Sequence, residues 1–155
     1  MRESVFSILG DLTGLSFLDL FTGSGVVALE AVSRGAGPVT AVERDKGKRT
    51  IITRNFTITD TPPHLILTPA ERFVATCRDQ YQIAFLDPPF DYRFKGDLIR
   101  RIARRNIVAP GGQLLIHYPH PESLPERSGG LVASDERKYG RSRVKFYRMS
   151  GGDEL

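Results

Sequence analysis

The 155-residue chain is predicted to fold as an α/β domain: a three-layer, Rossmann-like, mostly parallel sheet closed by a C-terminal antiparallel hairpin. Three observations predict it. Short apolar runs alternate with helical stripes five times along the chain. The link after the first run, Thr22-Gly23-Ser24-Gly25, is glycine-rich and opens directly into a helix. The last two apolar segments, 131–139 and 143–149, meet across Gly140, as hairpin strands do.

In order, residues 4–9 form a short helix with Val5, Phe6, Ile8 and Leu9 on its apolar side. Residues 17–21 are the first strand. A helix from Val26 to Arg34 follows, with Gly35 and Pro38 as its exit signals. Val39 to Glu43 is the second strand, and residues 46–57 are helical despite their β-branched content. Pro62-Pro63 breaks the chain before a strand from His64 to Leu67, and Pro69 starts a short helix through Thr76. Ile83 to Leu86 is a buried strand. Leu98, Ile99, Ile102 and Ala103 make a helical stripe flanked by Arg100, Arg101, Arg104 and Arg105. Pro110-Gly111-Gly112 turns the chain into a strand from Gln113 to His117, and residues 119–130 read as a loop before the hairpin.

Composition sets the class. Hydrophobic residues at 40% and charged residues at 26% describe an ordinary globular protein, with residues 1–150 as one domain and 151–155 as a frayed tail. The single cysteine, Cys77, excludes an internal disulfide framework, and His64, His117 and His120 show no metal-ligand spacing. No signal peptide or membrane-length apolar run is visible, so a cytoplasmic protein without a membrane or metal partner is expected. The net charge is +4, and residues 127–148 carry seven Lys or Arg against Asp135 and Glu136. That concentration points to a polyanionic partner.

Chemistry gathers at the strand ends. The strand ending in Leu86 stops at Asp87-Pro88-Pro89-Phe90, because neither proline can donate to a ladder. Open α/β sheets place their ligands at this end. A carboxylate beside an aromatic plate suits a planar heterocycle with an exocyclic amine: the ring stacks on Phe90 while Asp87, or the Pro88 carbonyl, accepts an amine N–H. Upstream, Gly23 and Gly25 let backbone approach a ligand at a helix N-terminus. The third glycine of a full dinucleotide fingerprint is missing, which suits a ligand smaller than a pyrophosphate. Glu43 ends the next strand, where a carboxylate accepts ribose hydroxyls. Asp19 adds an acid suited to a cationic group, or else caps the following backbone. Together these describe a pocket for S-adenosylmethionine beside an amine clamp, and hence methyl transfer to nitrogen. Such a reaction depends on positioning more than on acid–base chemistry.

On these motifs the sequence resembles the RsmD-type ribosomal RNA methyltransferases. The resemblance covers nearly the whole chain, including residues 2–9, 19–25, 42–45, 87–90, 109–112 and 138–142. It implies a class I methyltransferase fold and methylation of guanine N2 in small-subunit ribosomal RNA, free or in an assembling subunit. It further implies that Asp19, Phe21, Thr22, Gly23, Ser24 and Gly25 surround the methionine end of S-adenosylmethionine. Glu43 would lie at the ribose, the adenine contact would fall to backbone or Glu71, and Arg44 and Ala70 are further cofactor-binding candidates. Asp87, Pro88, Pro89 and Phe90 would hold the guanine. The basic hairpin itself nominates Tyr139, Arg141 and Arg143 for RNA, the alternative being a core-edge tyrosine with solvated arginines, and Arg2 and Arg93 are further RNA-binding candidates.

Three departures accompany the resemblance. The basic N-terminal extension usual in the family is not seen before Arg2. Thr68-Pro69-Ala70-Glu71 stands where the family often has an acid near the adenine amine. His117-Tyr118 stands where relatives tend to have an acid; a packed or surface histidine is expected at His117, ahead of the alternative in which it faces the substrate. Competing readings keep the fold but change the substrate to a DNA base or a protein glutamine. Another is a non-catalytic RNA-binding module with a degenerate pocket. A nicotinamide oxidoreductase is disfavoured by the missing glycine.

Overall fold

Parallel pairing aligns the ends of the first three strands. In the computed structural model, which describes residues 1–151, β1 (Phe17–Asp19) pairs with β2 (Val39–Glu43), and β2 with β3 (His64–Leu67), both in parallel. Asp19 lies opposite Ala41, and Glu43 opposite Leu67, so both acids sit at carboxyl ends of neighbouring strands. These strands belong to the first of two compact units, residues 1–70. Its helices are α1 (Arg2–Leu9), α2 (Val26–Ser33) and α3 (Arg49–Phe56). Val5, Phe6, Leu12, Phe17, Leu18, Ala28 and Ile52 are its buried core. The single helix expected over 46–57 is a 3₁₀ turn, Lys46–Lys48, followed by α3. Asp45 caps that turn by accepting the Gly47 N–H, which tightens the first residues away from α geometry.

The second unit starts at Glu71. It holds α4 (Ala70–Thr76, whose first residue closes the first unit), β4 (Tyr81–Leu86), α5 (Lys95–Arg104) and β5 (Val108–Pro119). Then come β6 (Arg127–Ser128), β7 (Leu131–Tyr139) and β8 (Ser142–Met149). β5 is parallel to β4 on one side and antiparallel to β8 on the other, and β7 and β6 follow in antiparallel order. This is the closing hairpin that the sequence predicts. Two details differ. Pro110-Gly111-Gly112 is an irregularity within one long strand, between the Tyr81–Val108 and Ile83–Gln113 pairs, not a turn before it. A Cβ at Gly112 would stand 2.6 Å from the Gln82 carbonyl, so only glycine lets β5 rejoin β4 there. The expected loop over 119–130 contains β6, two residues too short to show a strand pattern. No helix among the described residues is long and apolar enough to cross a membrane. The expected tail, 151–155, lies outside the described residues except for Gly151.

Candidate active site

In the first unit the loop after β1 is shaped by its own polar groups. Asp19 is buried, and the Thr22 hydroxyl donates to its Oδ2 at 2.7 Å. Gly23 has φ of 60°, which turns its N–H onto Glu43 Oε1 at 2.9 Å. The Asp45 N–H donates to Glu43 Oε2 at 2.9 Å. The carboxylate is therefore fixed by backbone from both sides while buried at 7% exposure. A carboxylate offers about four lone-pair sites, so two remain for hydroxyl donors such as those of a ribose. Because Gly23 spends its N–H on Glu43, the loop offers less to an anion than a phosphate-binding loop does. This set of acceptors thus fits a nucleoside carrying a cation better than one carrying a pyrophosphate.

Gly25 is needed for a reason the sequence did not show. At φ of 90° a Cβ there would lie 2.5 Å from the Phe56 ring of α3. Asn55, just before it, donates to the Ser24 carbonyl at 2.8 Å and pins the loop from outside. Ser24 and Arg44 are exposed, Phe21 is part-buried and Ala70 is buried.

In the second unit, register decides what Asp87 meets. Leu86 pairs with Ile116, so the next residues of the two parallel strands, Asp87 and His117, come side by side. His117 Nδ1 is 2.9 Å from Asp87 Oδ1, and its Nε2 is 2.7 Å from the Ser142 hydroxyl. Asp87 Oδ2 makes no hydrogen bond among the described residues. Phe90 is 52% exposed, its ring meeting the His117 ring at 5.4 Å and 68°. His117 is a packed histidine, its side chain 12% exposed, and its packing is against the Asp87–Phe90 motif, which it joins through both residues. The signal that could have found it is its position as the last residue of the predicted strand from Gln113 to His117, beside the motif's own strand.

The loop after Phe90 is held by Lys95, which is 1% exposed. Its ammonium donates to the Tyr92 carbonyl at 2.6 Å, the Phe90 carbonyl at 3.1 Å and Glu122 Oε2 at 3.2 Å. All three of its hydrogens are used, as a buried ammonium requires. The Pro89 carbonyl accepts the Tyr92 N–H, and the Tyr92 hydroxyl donates to Glu71 Oε1 at 2.6 Å. Burial, reinforced by that Glu71 bond, pushes the Tyr92 hydroxyl well above the usual tyrosine range.

At the hairpin, Arg143 pairs with Glu136 at 3.1 Å, and Glu136 also accepts from Tyr118 and Lys145. Burial pulls the Glu136 carboxyl upward, but the Tyr118 hydroxyl, Lys145 and Arg143 outweigh it and hold it below the usual range. Burial and the same bond raise Tyr118 to about 12. Arg143 thus has an internal partner, whereas Arg141 at the turn is exposed, as are Arg2 and Arg93. Tyr139 is part-buried, and its carbonyl lies 3.1 Å from the Ser142 hydroxyl.

The family model described as conserved hypothetical protein 95 matches residues 1–148. The chain belongs to this family. Among its relatives is the Escherichia coli protein named ribosomal RNA small subunit methyltransferase D, 24% identical over 156 residues, covering 99% of this chain and 79% of that one. The resemblance drawn from the motifs is thereby borne out. A conserved hypothetical protein of Streptococcus pyogenes superposes with a TM-score of 0.89 at 28% identity, covering 100% of this chain and 98% of that one. The magnesium protoporphyrin IX methyltransferase of Synechocystis, solved with bound SAM, shares the fold at a TM-score of 0.75 and 14% identity. It covers 96% of this chain and 78% of that one. The chain has the class I methyltransferase fold expected from its sequence.

Proposed function

We propose that this family member uses S-adenosylmethionine to methylate the exocyclic N2 amine of a guanine in small-subunit ribosomal RNA. The observation that carries the reading is Asp87: one carboxylate oxygen is tied to His117, the other is open, and an exposed Phe90 ring stands beside it. The name of the Escherichia coli relative supports the substrate class, and the fold and the remaining acceptor sites of Glu43 support the cofactor.

When bound, S-adenosylmethionine supplies a methyl carbon whose bond to cationic sulfur breaks as the amine nitrogen bonds to it. The chain's residues prepare the nitrogen. Phe90 stacks the guanine after it leaves any neighbouring base. Asp87 Oδ2 and the Pro88 carbonyl accept the two N2–H groups, aiming the nitrogen lone pair. These bonds strengthen as nitrogen gains positive charge, which lowers the barrier without tightening ground-state binding. The nitrogen then sheds one proton, for which Asp87 is the nearest acceptor. In the first unit Glu43 receives the ribose hydroxyls, Asp19 faces the amino group, and Ala70 serves the adenine. Arg2, Arg93, Arg141 and Tyr139 are assigned to RNA phosphates and a splayed base. The protein works in the cytoplasm, on ribosomal RNA or an assembling subunit.

The test is incubation with methyl-labelled S-adenosylmethionine and small ribosomal subunits lacking the modification, followed by nucleoside analysis. Label in N2-methylguanosine is expected. Label in methyladenosine, methylcytidine or protein would overturn the substrate assignment, and no label in any acceptor would favour a binding module.

A further inference from the structure

We infer that His117 is a positioning residue of the guanine clamp, setting the Asp87 carboxylate and the Phe90 ring in one arrangement. The inference rests on the reading of Asp87 to Phe90 as the base site. An aspartate carboxyl turns easily about its last side-chain bond, and a loop phenylalanine swings about two. Left alone, neither would present a fixed acceptor and a fixed plate to the same base. His117 ties both: its ring contacts the Phe90 ring at 5.4 Å, and Nδ1 lies 2.9 Å from Asp87 Oδ1. A carboxylate only accepts, so Nδ1 is the donor of that bond.

The imidazole is fixed in turn. Ser142 Oγ is 2.7 Å from Nε2 and 3.1 Å from the Tyr139 carbonyl, so the ring is anchored to the hairpin turn that carries Tyr139 and Arg141. Turning the ring over would set a C–H against Asp87 and forfeit both bonds. Burial is consistent with this: the His117 side chain is 12% exposed and that of Asp87 36%, so a packed ring holds a carboxylate that solvent reaches. A histidine that merely fills a strand end has no need of three partners drawn from the base motif and the hairpin turn. Misplacing a reacting group by about an ångström slows a reaction roughly a hundredfold, which sets the scale of the effect.

The test compares two variants on undermethylated small ribosomal subunits under single-turnover conditions. His117→Phe keeps a ring against Phe90 but has no donor. His117→Asn keeps a donor toward Asp87 at the place of Nδ1. The phenylalanine variant is expected to be about ten- to a hundredfold slower, with KM for subunits, affinity for S-adenosylhomocysteine and melting temperature near parental. The asparagine variant is expected to recover most of the rate. In nitrogen-15 spectra of the parent, Asp87→Asn is expected to move the His117 Nδ1 resonance. Parental turnover by His117→Phe, or equal slowing in both variants, would overturn the inference. Should His117→Phe melt early, the asparagine variant decides alone: a rate as low as that of phenylalanine sinks the donor role. Asp87→Ala separates the two levels. If it turns over normally the base-site reading fails; if it is inactive while His117→Phe is parental, only the positioning role fails.

Discussion

Glu43 shows how one side chain serves the fold and the ligand at once. Two backbone N–H groups hold its carboxylate at 2.9 Å each, leaving the other lone pairs for a diol. Glu43→Ala is expected to weaken binding of S-adenosylhomocysteine by about 1–3 kcal/mol, read by calorimetry. Glu43→Gln, which keeps one acceptor oxygen, should lie between. Unchanged binding in both would remove Glu43 from the pocket. At Asp87 the split goes the other way: Asp87→Ala is expected to lose turnover while keeping cofactor affinity, because its bond strengthens only as the amine becomes charged. Both acids were legible in the sequence because each ends an apolar run, where a charged side chain must face out of the sheet. His117 was not. A histidine after an apolar run fits a packed ring as well as a hydrogen-bonded one, and only its neighbour's identity separates them.

The loop between β4 and α5 and the hairpin tip are elements whose behaviour turns on one cation each. Lys95 holds the Phe90–Tyr92 loop through two carbonyls. Lys95→Met keeps the buried stem but strips both carbonyls of their donor, and should destabilise the protein by about 2–4 kcal/mol in urea titrations. A midpoint shift within experimental error would show that water replaces the ammonium. At the hairpin, Arg141 is the cation to test for RNA, since Arg143 is engaged by Glu136. Arg141→Ala is expected to flatten the slope of log affinity against log salt by about 1 unit for ribosomal RNA. Superimposable slopes would place the RNA contact elsewhere. The hairpin was readable from its two alternating segments and glycine, but its charge balance was not. Cross-strand pairing of Glu136 with Lys145 is a register fact, and register is settled by the whole sheet.

For the molecule as a whole, two sets of shifted groups bound the pH range of stability. Glu136 titrates below its unfolded value, so its contribution is present above about pH 4.3 and is lost as pH falls through the lower folded value. Tyr92, Tyr118 and Tyr147 are all raised, by burial first, so their neutral forms favour folding below about pH 10. Above that the unfolded chain loses protons sooner, and stability falls as pH rises toward the folded value of about 12 for Tyr118. Thermal melts across pH should show a plateau with losses at both ends. Glu136→Gln should reduce the acid-side loss, and an unchanged acid limb would show that other carboxyls dominate it.

The chain's own pattern determined the order of elements, the fold class and the acids that end the strands. These follow from local rules: an apolar run must be buried, prolines stop a ladder, and glycines permit a helix to start in a tight turn. Tertiary structure alone decided which groups share a site. Asp87 and His117 are 30 residues apart in sequence and meet because two parallel strands settle into one register. Lys95 is buried because three acceptors converge on it, and Gly25 must be glycine because Phe56 packs above it. Apart from the Phe90 and Tyr92 carbonyls, which are local to Lys95, these partners lie far apart along the chain, and nothing in the composition around either one announces the other.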